Sequence, residues 1–245
     1  MQLVIDIGNT RVKTGLFDKD ELLHFFVFQS FDEFISANLP AKFPIQKCII
    51  ASVVNEFESI ANFMTKTGEV FIFTSQTPTP LINLYESAHT LGSDRLAAAV
   101  GASCIFPNQN LLIVDAGTCI KYNFVSANNE YLGGGISPGL QMRFKALNHY
   151  TSRLPLIQTN SGYNELIGKN TTNSILSGVE IGSIAEINGI IERYEKQYPS
   201  IKVVLTGGDV NFFEKRLKNS IFADPFLILK GLNVILNFNS KAVSK

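Results

Sequence analysis

Twice in this chain an aliphatic run ends in Asp-x-Gly. Residues 3–7 run through Asp6-Ile7-Gly8, and residues 111–114 run into Asp115-Ala116-Gly117. A carboxylate at the end of a buried apolar strand costs desolvation unless a cation or hydrogen-bond donors meet it. Here the costly arrangement occurs twice, about 110 residues apart. Each copy continues through a Thr (Thr10, Thr118) into a second strand-like run, residues 11–17 and 119–125. Helical patterns fall between the strands. Self-similarity at this distance predicts a duplicated α/β architecture, with one unit over residues 1–110 and a second over 111–245.

The rest of the pattern agrees. Residues 22–28 add a third strand to the opening meander, and 48–53 and 70–73 are expected as buried strands with a helix at 56–66 between them. Residues 74–90 are expected to be extended, because Pro78 and Pro80 push their predecessors out of the helical region. The alanine-rich run 96–105 is a strong helix former with Ser93 or Asp94 as its cap. Strands follow at 131–136 and 202–205, a polar loop at 158–173, and a long helix at 174–194. Gly178 and Gly182 lie within that helix, and close packing against another backbone is expected to offset their poor propensity.

Composition removes several function classes. Lys+Arg and Asp+Glu are both 21, so the formal charge is zero. A nucleic-acid binder held by counterion release needs a basic surplus. The cysteines Cys48, Cys104 and Cys119 form no CxxC pair, so no disulfide framework or zinc site is expected, and a reducing cytoplasm is the expected home. No basic leader and no apolar run of about 18 residues is visible, so no targeting segment or membrane partner is expected.

Five segments could carry chemistry. In Asp6-Ile7-Gly8-Asn9-Thr10-Arg11-Val12-Lys13, the glycine lets a phosphate approach the backbone, and Asn9 and Thr10 offer donors. Asp6 could hold Mg²⁺, and Lys13 could reach the phosphates as a point charge. Taken singly, the segment is equally an ordinary Gly-Asn hairpin. Asp115-Ala116-Gly117-Thr118 follows the same logic. In Gly92-Ser93-Asp94-Arg95, an arginine in the first helical turn opposes the helix dipole. That placement suits an anion site, with Asp94 beside the bound substrate as a base. Gly133-Gly134-Gly135-Ile136-Ser137-Pro138-Gly139 and Gly207-Gly208-Asp209 are either tight connections or surfaces for a ligand. No GxxxxGK[ST], GxGxxG after a strand, or GxSxG is present, and no pair of histidines has metal spacing.

These motifs, in this order and spacing, resemble type III pantothenate kinase, within the superfamily of actin, sugar kinases and heat-shock ATPases. The resemblance spans about residues 1–210. It implies two actin-like, ribonuclease H-like units, each a mixed sheet flanked by helices. It implies ATP-dependent phosphorylation of pantothenate, the first step of coenzyme A synthesis. Other small-molecule kinases or phosphohydrolases on the same scaffold, or an inactive nucleotide-binding regulator, are the alternatives. Residue by residue, the resemblance gives the stretch from Asp6 to Lys13 and Thr118 to ATP, with Mg²⁺ at Asp6. It makes Asp94 the base and Arg95 the carboxylate clamp, within Gly92-Ser93-Asp94-Arg95. It gives Tyr85 a substrate contact and puts a monovalent cation, K⁺ or NH₄⁺, on Asp115. It supplies Thr171 to the substrate of the partner subunit in a homodimer. The family's second motif continues with Ala and Thr, where this chain reads Cys119-Ile120-Lys121.

Overall fold

The computed structural model describes residues 1–53, 58–65, 68–218 and 220–242. The chain opens with the expected meander: β1 (Gln2–Ile7), β2 (Val12–Asp18) and β3 (Glu21–Phe28). β1 runs antiparallel to β2 and parallel to β4 (Lys47–Ser52), and β4 runs parallel to β5 (Glu69–Phe73). The sheet order is β3-β2-β1-β4-β5. Alternation along β1 sends Leu3, Ile5 and Ile7 into a core shared with Val12, Leu16 and Phe28. Val4 and Asp6 therefore point to the other face. Helices α1 (Phe31–Ala37), α2 (Leu39–Lys42) and α3 (Glu58–Met64) close the first face through Phe34, Leu39 and Ile60. The first two were not legible in the sequence. Of the helix expected at 56–66, Glu56, Phe57 and Lys66 lie outside the described residues. The proline-bearing stretch is extended only in part: it holds a two-residue strand β6 (Ile82–Asn83), but turns at Ser75–Gln76 and Glu86–Ser87 and a 3₁₀ turn at Ala88–Thr90 fold the rest.

α4 (Ser93–Ile105) and the C-terminal α9 (Leu227–Ala242) pack on each other and on the second face. Their backbones nearly touch: a Cβ on Gly231 would stand 1.9 Å from the Ala97 carbonyl oxygen, and one on Gly101 2.5 Å from that of Leu227.

The second sheet has the order β11-β10-β7-β8-β9-β6. Its strands are β7 (Leu111–Ala116), β8 (Cys119–Val125), β9 (Glu130–Pro138), β10 (Lys202–Thr206) and β11 (Ile221–Ala223), with β10 parallel to both β7 and β11. Read from β7 as from β1, the two strand orders match, with β8, β9, β10 and β11 in the places of β2, β3, β4 and β5. The repeat expected from the two Asp-x-Gly turns thus extends to the whole sheet. α5 (Leu140–His149), α6 (Thr171–Leu176), α7 (Gly182–Gln197) and α8 (Val210–Phe213) complete this part. α6 and α7 are joined by a π-helical turn, Ser177–Ile181, into one 27-residue helix. By length and composition this helix could cross a membrane, but its Ile175, Leu176, Val179, Ile187 and Ile191 pack into the core of the second unit with Leu112 and Ile120. The close backbone packing expected at Gly178 and Gly182 is not found: a Cβ on either would meet nothing within 4 Å. The π turn carries Gly178, so that part of the helix is already irregular.

The chain forms two compact units. One comprises Met1–Asn108, Val125–Gly133 and the segment bearing α9; the other comprises Gln109–Phe124 and Gly134–Pro225. The sequence suggests two units over residues 1–110 and 111–245. The difference is that β6 recruits Glu130 and Tyr131 of β9, and α9 returns to α4, so two later segments belong to the first unit.

Candidate active site

Asp6 is the penultimate residue of β1 and is only 7% exposed. Its register partner on β2 is Lys13, so both side chains leave the same face of the sheet. Beyond Ile7 the chain turns, and the Gly8 N–H donates to the Arg11 carbonyl at 3.1 Å. A groove of about 630 Å³ opens here, lined by Gly8, Asn9, Thr10 and Arg11 together with Gln29 and Ser30.

The start of α4 reaches the same end of that sheet. Ser93 Oγ donates to the Ser52 carbonyl at 3.3 Å, and Ser52 lies opposite Ile7 in the β1–β4 register. Asp94 therefore sits at the carboxyl ends of β1 and β4, where open α/β sheets bind ligands. The helix is capped by Gly92, not by Ser93 or Asp94. Asp94 Oδ1 instead accepts from the Arg95 N–H at 2.8 Å. A cavity of about 290 Å³ adjoins, lined by Ser52, Thr74, Ser75, Leu91, Gly92 and Ser93. Arg95 is 5% exposed, and its guanidinium carbon lies 5.5 Å from the centre of the Tyr85 ring. This cation–π contact gives the buried charge a partner and brings two expected substrate residues together. Gly133 leaves room for Tyr85, since a Cβ there would stand 3.0 Å from the ring.

In the second unit Asp115 is the penultimate residue of β7, matching Asp6 on β1, and is 4% exposed. Its Oδ2 lies 2.9 Å from Lys121 Nζ. Thr206 faces it across the β7–β10 register, with a buried Oγ1 that finds no hydrogen-bond partner. Gly207 follows with φ of +101°; a Cβ there would stand 2.2 Å from the Ala116 carbonyl oxygen and 2.6 Å from Asp115 Oδ1. Gly139 donates its N–H to the Thr118 carbonyl at 3.1 Å, and a Cβ on it would stand 2.0 Å from the Gly117 oxygen. Gly207 and Gly139 therefore serve close backbone packing around the turn, one of the two roles the sequence left open. Gly208, next to Gly207, has open space beside it. Thr118 is exposed at the turn. Thr171 is exposed at the start of α6, where Asn170 Oδ1 caps the helix by accepting from the Asn173 N–H at 2.9 Å.

Two polar clusters escaped the sequence reading. Glu186 accepts from the Tyr122 hydroxyl at 2.9 Å, from Ser137 and from Arg143. Burial works to raise its carboxyl, but these hydrogen bonds outweigh it and hold the group below the ordinary glutamate range. Burial, and then the charge and hydrogen bond of Glu186, push the Tyr122 phenol up. Fully buried Glu180 in the π turn pairs with Arg216 at 3.3 Å and accepts from the Asn160 N–H at 2.6 Å, which ties the polar loop to the long helix. Ser137 lay in a motif already singled out, but nothing in the spacing pointed to the glutamates. Among the described residues no group of three or more His, Cys, Asp or Glu could hold a metal ion.

The profile of the family described as type III pantothenate kinase matches residues 2–193. A type III pantothenate kinase from Phocaeicola vulgatus is 42% identical over 242 residues, covering 98% of this chain and 100% of the relative. One from Bacteroides fragilis strain ATCC 25285 is 45% identical, covering 98% and 99%. Among solved structures, a Campylobacter jejuni protein described as a Baf family transcriptional activator matches with TM-score 0.66 at 24% identity, covering 98% of this chain and 99% of that one. The activator of 2-hydroxyisocaproyl-CoA dehydratase from Clostridium difficile, with bound ADPNP, matches with TM-score 0.55 at 12% identity over 100% and 97%. MreB5 of Spiroplasma citri bound to AMPPNP matches with TM-score 0.51 at 10% identity over 99% and 98%. At these identities the structures speak to the fold, and they bear out the duplicated actin-like architecture.

Proposed function

The chain belongs to the type III pantothenate kinase family and phosphorylates pantothenate from ATP, the first step of coenzyme A synthesis; from that premise we propose how its residues divide the work. The observation that carries the reading is the meeting of Asp6, Asp94 and Arg95 at one end of one sheet. The stretch from Asp6 to Lys13 binds the ATP phosphates: Gly8, Asn9 and Thr10 line an open groove, and Lys13 offsets charge from the face it shares with Asp6. A carboxylate beside a groove lined by amide and hydroxyl donors suits Mg²⁺, and Asp6 would hold it. The ion would neutralise phosphate charge.

Arg95 clamps the pantothenate carboxylate, and Tyr85 fixes the guanidinium plane. Asp94 orients the primary hydroxyl and accepts its proton as that oxygen bonds to the γ-phosphorus. The bond from phosphorus to the bridging oxygen breaks, and ADP carries away the electron pair. Thr118, exposed at the second turn, contacts ATP. Further, the enzyme is a cytoplasmic homodimer in which Thr171 reaches the partner's substrate. Its exposed position, beside Leu166 and Ile167 at 74% and 76% exposure, supports this.

A coupled ADP-release assay with and without pantothenate tests the reading. Release should require pantothenate; release without it would indicate a plain ATPase. Mixing Asp94→Asn with a bulky Thr171 variant should restore roughly a quarter of wild-type activity, because about half of randomly paired dimers hold one intact site. No recovery in proven mixed dimers would confine Thr171 to its own chain.

A further inference from the structure

The monovalent cation that the resemblance assigns to Asp115 does not fit the residues present. Tyr122 and Ile120 of β8 point into the core of the second unit, so alternation turns Lys121 to the opposite face. On β7, Val114 and Ala116 likewise point into that core, so Asp115 shares the face of Lys121. The two meet at 2.9 Å, with side-chain exposures of 6% for Asp115 and 21% for Lys121. The other carboxylate oxygen is bounded by the Gly207 backbone, where even a Cβ would stand 2.6 Å away. One oxygen is thus engaged by an ammonium, and the other lies close beside Gly207. A metal ion needs several oxygen ligands, and carboxylate, carbonyl and water are the donors that suit a hard cation. A lysine head group, by contrast, is a compact ammonium with three donors, chemically an NH₄⁺ on a stem.

We propose that Lys121 is the resident cation of the second Asp-x-Gly turn: its ammonium supplies the positive charge at Asp115, and turnover needs no added monovalent ion. The inference rests on the pantothenate kinase reading for its activity assay, and on the ion pair for everything else. Lys121 is a positioning residue here. It holds the Asp115 end of β7, from which the turn with Gly117 and Thr118 departs. Replacing it with a small residue should open a site for a dissolved ion, with Asp115 and the unpartnered hydroxyl of Thr206 as two of its oxygens.

The experiment is pantothenate-dependent ADP release at constant ionic strength in tetramethylammonium, Na⁺, K⁺ or NH₄⁺ chloride. The wild type should vary by no more than about twofold across the four salts, while Lys121→Thr should fall about tenfold or more in tetramethylammonium and recover in K⁺ or NH₄⁺. Thermal melting supplies a readout that needs no turnover. The wild-type midpoint should be the same in K⁺ and tetramethylammonium, and the Lys121→Thr midpoint should rise in K⁺. Several-fold activation of the wild type by K⁺, or a K⁺-specific rise in its melting midpoint, would overturn the proposal without any variant. A Lys121→Thr enzyme that is fully active and indifferent to salt would reduce the ion pair to a structural contact. ADP release that ignores pantothenate in every salt would instead sink the kinase reading, and the melting series would still decide the role of Lys121.

Discussion

The two Asp-x-Gly turns share a backbone and differ in what surrounds the carboxylate. Asp6 and Asp115 are each the penultimate residue of the strand that pairs with both a hairpin partner and a parallel neighbour. Beyond Asp6 the turn borders a groove of about 630 Å³. Beyond Asp115 the turn is enclosed: Lys121 holds one oxygen, Gly207 backs the other, and Gly139 presses on Gly117 and Thr118. The same turn geometry thus occurs twice, once bordering a groove and once closed around an ion pair. A motif match therefore locates a carboxylate without saying what satisfies it. The desolvation argument requires a cation or donors at both sites, and a lysine on the next strand meets it as well as a dissolved ion.

If chemistry centres on the end of the sheet that carries the open turn, the largest loss should come from Asp94→Asn. That change should lower kcat by about 10²–10⁴, the usual worth of a general base. Melting should hardly move, because an Asn amide oxygen can still accept from the Arg95 N–H. A variant within a few-fold of wild type would remove the role of base from Asp94.

The enclosed unit should answer substitutions in stability first. Gly139→Ala forces a Cβ to 2.0 Å from the Gly117 oxygen. The backbone must move, and a loss of about 2–4 kcal/mol is expected in urea or thermal unfolding. Gly208→Ala, with nothing within 4 Å, should stay within about 0.5 kcal/mol of wild type. Equal losses at the two positions would mean that the second turn is not packed as described.

Asp115→Asn should cost somewhat less, about 1–3 kcal/mol. It removes the charge that faces the Lys121 ammonium at 2.9 Å, and 21% exposure of that side chain lets water soften the penalty. Asp6→Asn should be felt instead as weaker binding of ATP with Mg²⁺. Titrating both variants with the nucleotide and melting both separates the two turns. If both respond alike in both measurements, the contrast between open and enclosed turns fails.

Much of this was legible in the sequence, for identifiable reasons. Strand-ending carboxylates, glycines and a cation in a first helical turn are local signals, and they located Asp6, Asp94, Arg95 and Asp115. What escaped depends on contacts between distant segments. α9 was missed because its role is to meet Gly101 and Ala97 of α4, more than a hundred residues earlier. Lys121 registered only as a departure from a pattern, since nothing in the order Cys119-Ile120-Lys121 says that alternation aims it at Asp115. Gly178 and Gly182 misled in the opposite direction. They suggested close packing against another backbone, and within this chain they face open space.

The smallest expected effect concerns Glu186, which sits at the far end of the glycine-rich motif from Tyr85. Its folded carboxyl is held below the ordinary glutamate range, because hydrogen bonds from Ser137, Arg143 and Tyr122 exceed the upward push of burial. A group with a depressed folded pKa stabilises the fold fully above its unfolded value, about 4.3 for glutamate, and loses that stabilisation as pH falls through the folded value. Wild-type stability should therefore drop on acidification below about pH 4.3 more steeply than that of Glu186→Gln. At neutral pH the two should differ by less than about 1 kcal/mol, because the cluster is partly exposed. The measurement is urea unfolding from pH 7 downward. Parallel curves for the two proteins would show that the cluster carries no linked proton. A Glu186→Gln variant whose acid limb is flatter, while pantothenate-dependent turnover at pH 7 persists, would place the cluster in the stability of the enclosed unit and outside the chemistry of the open one.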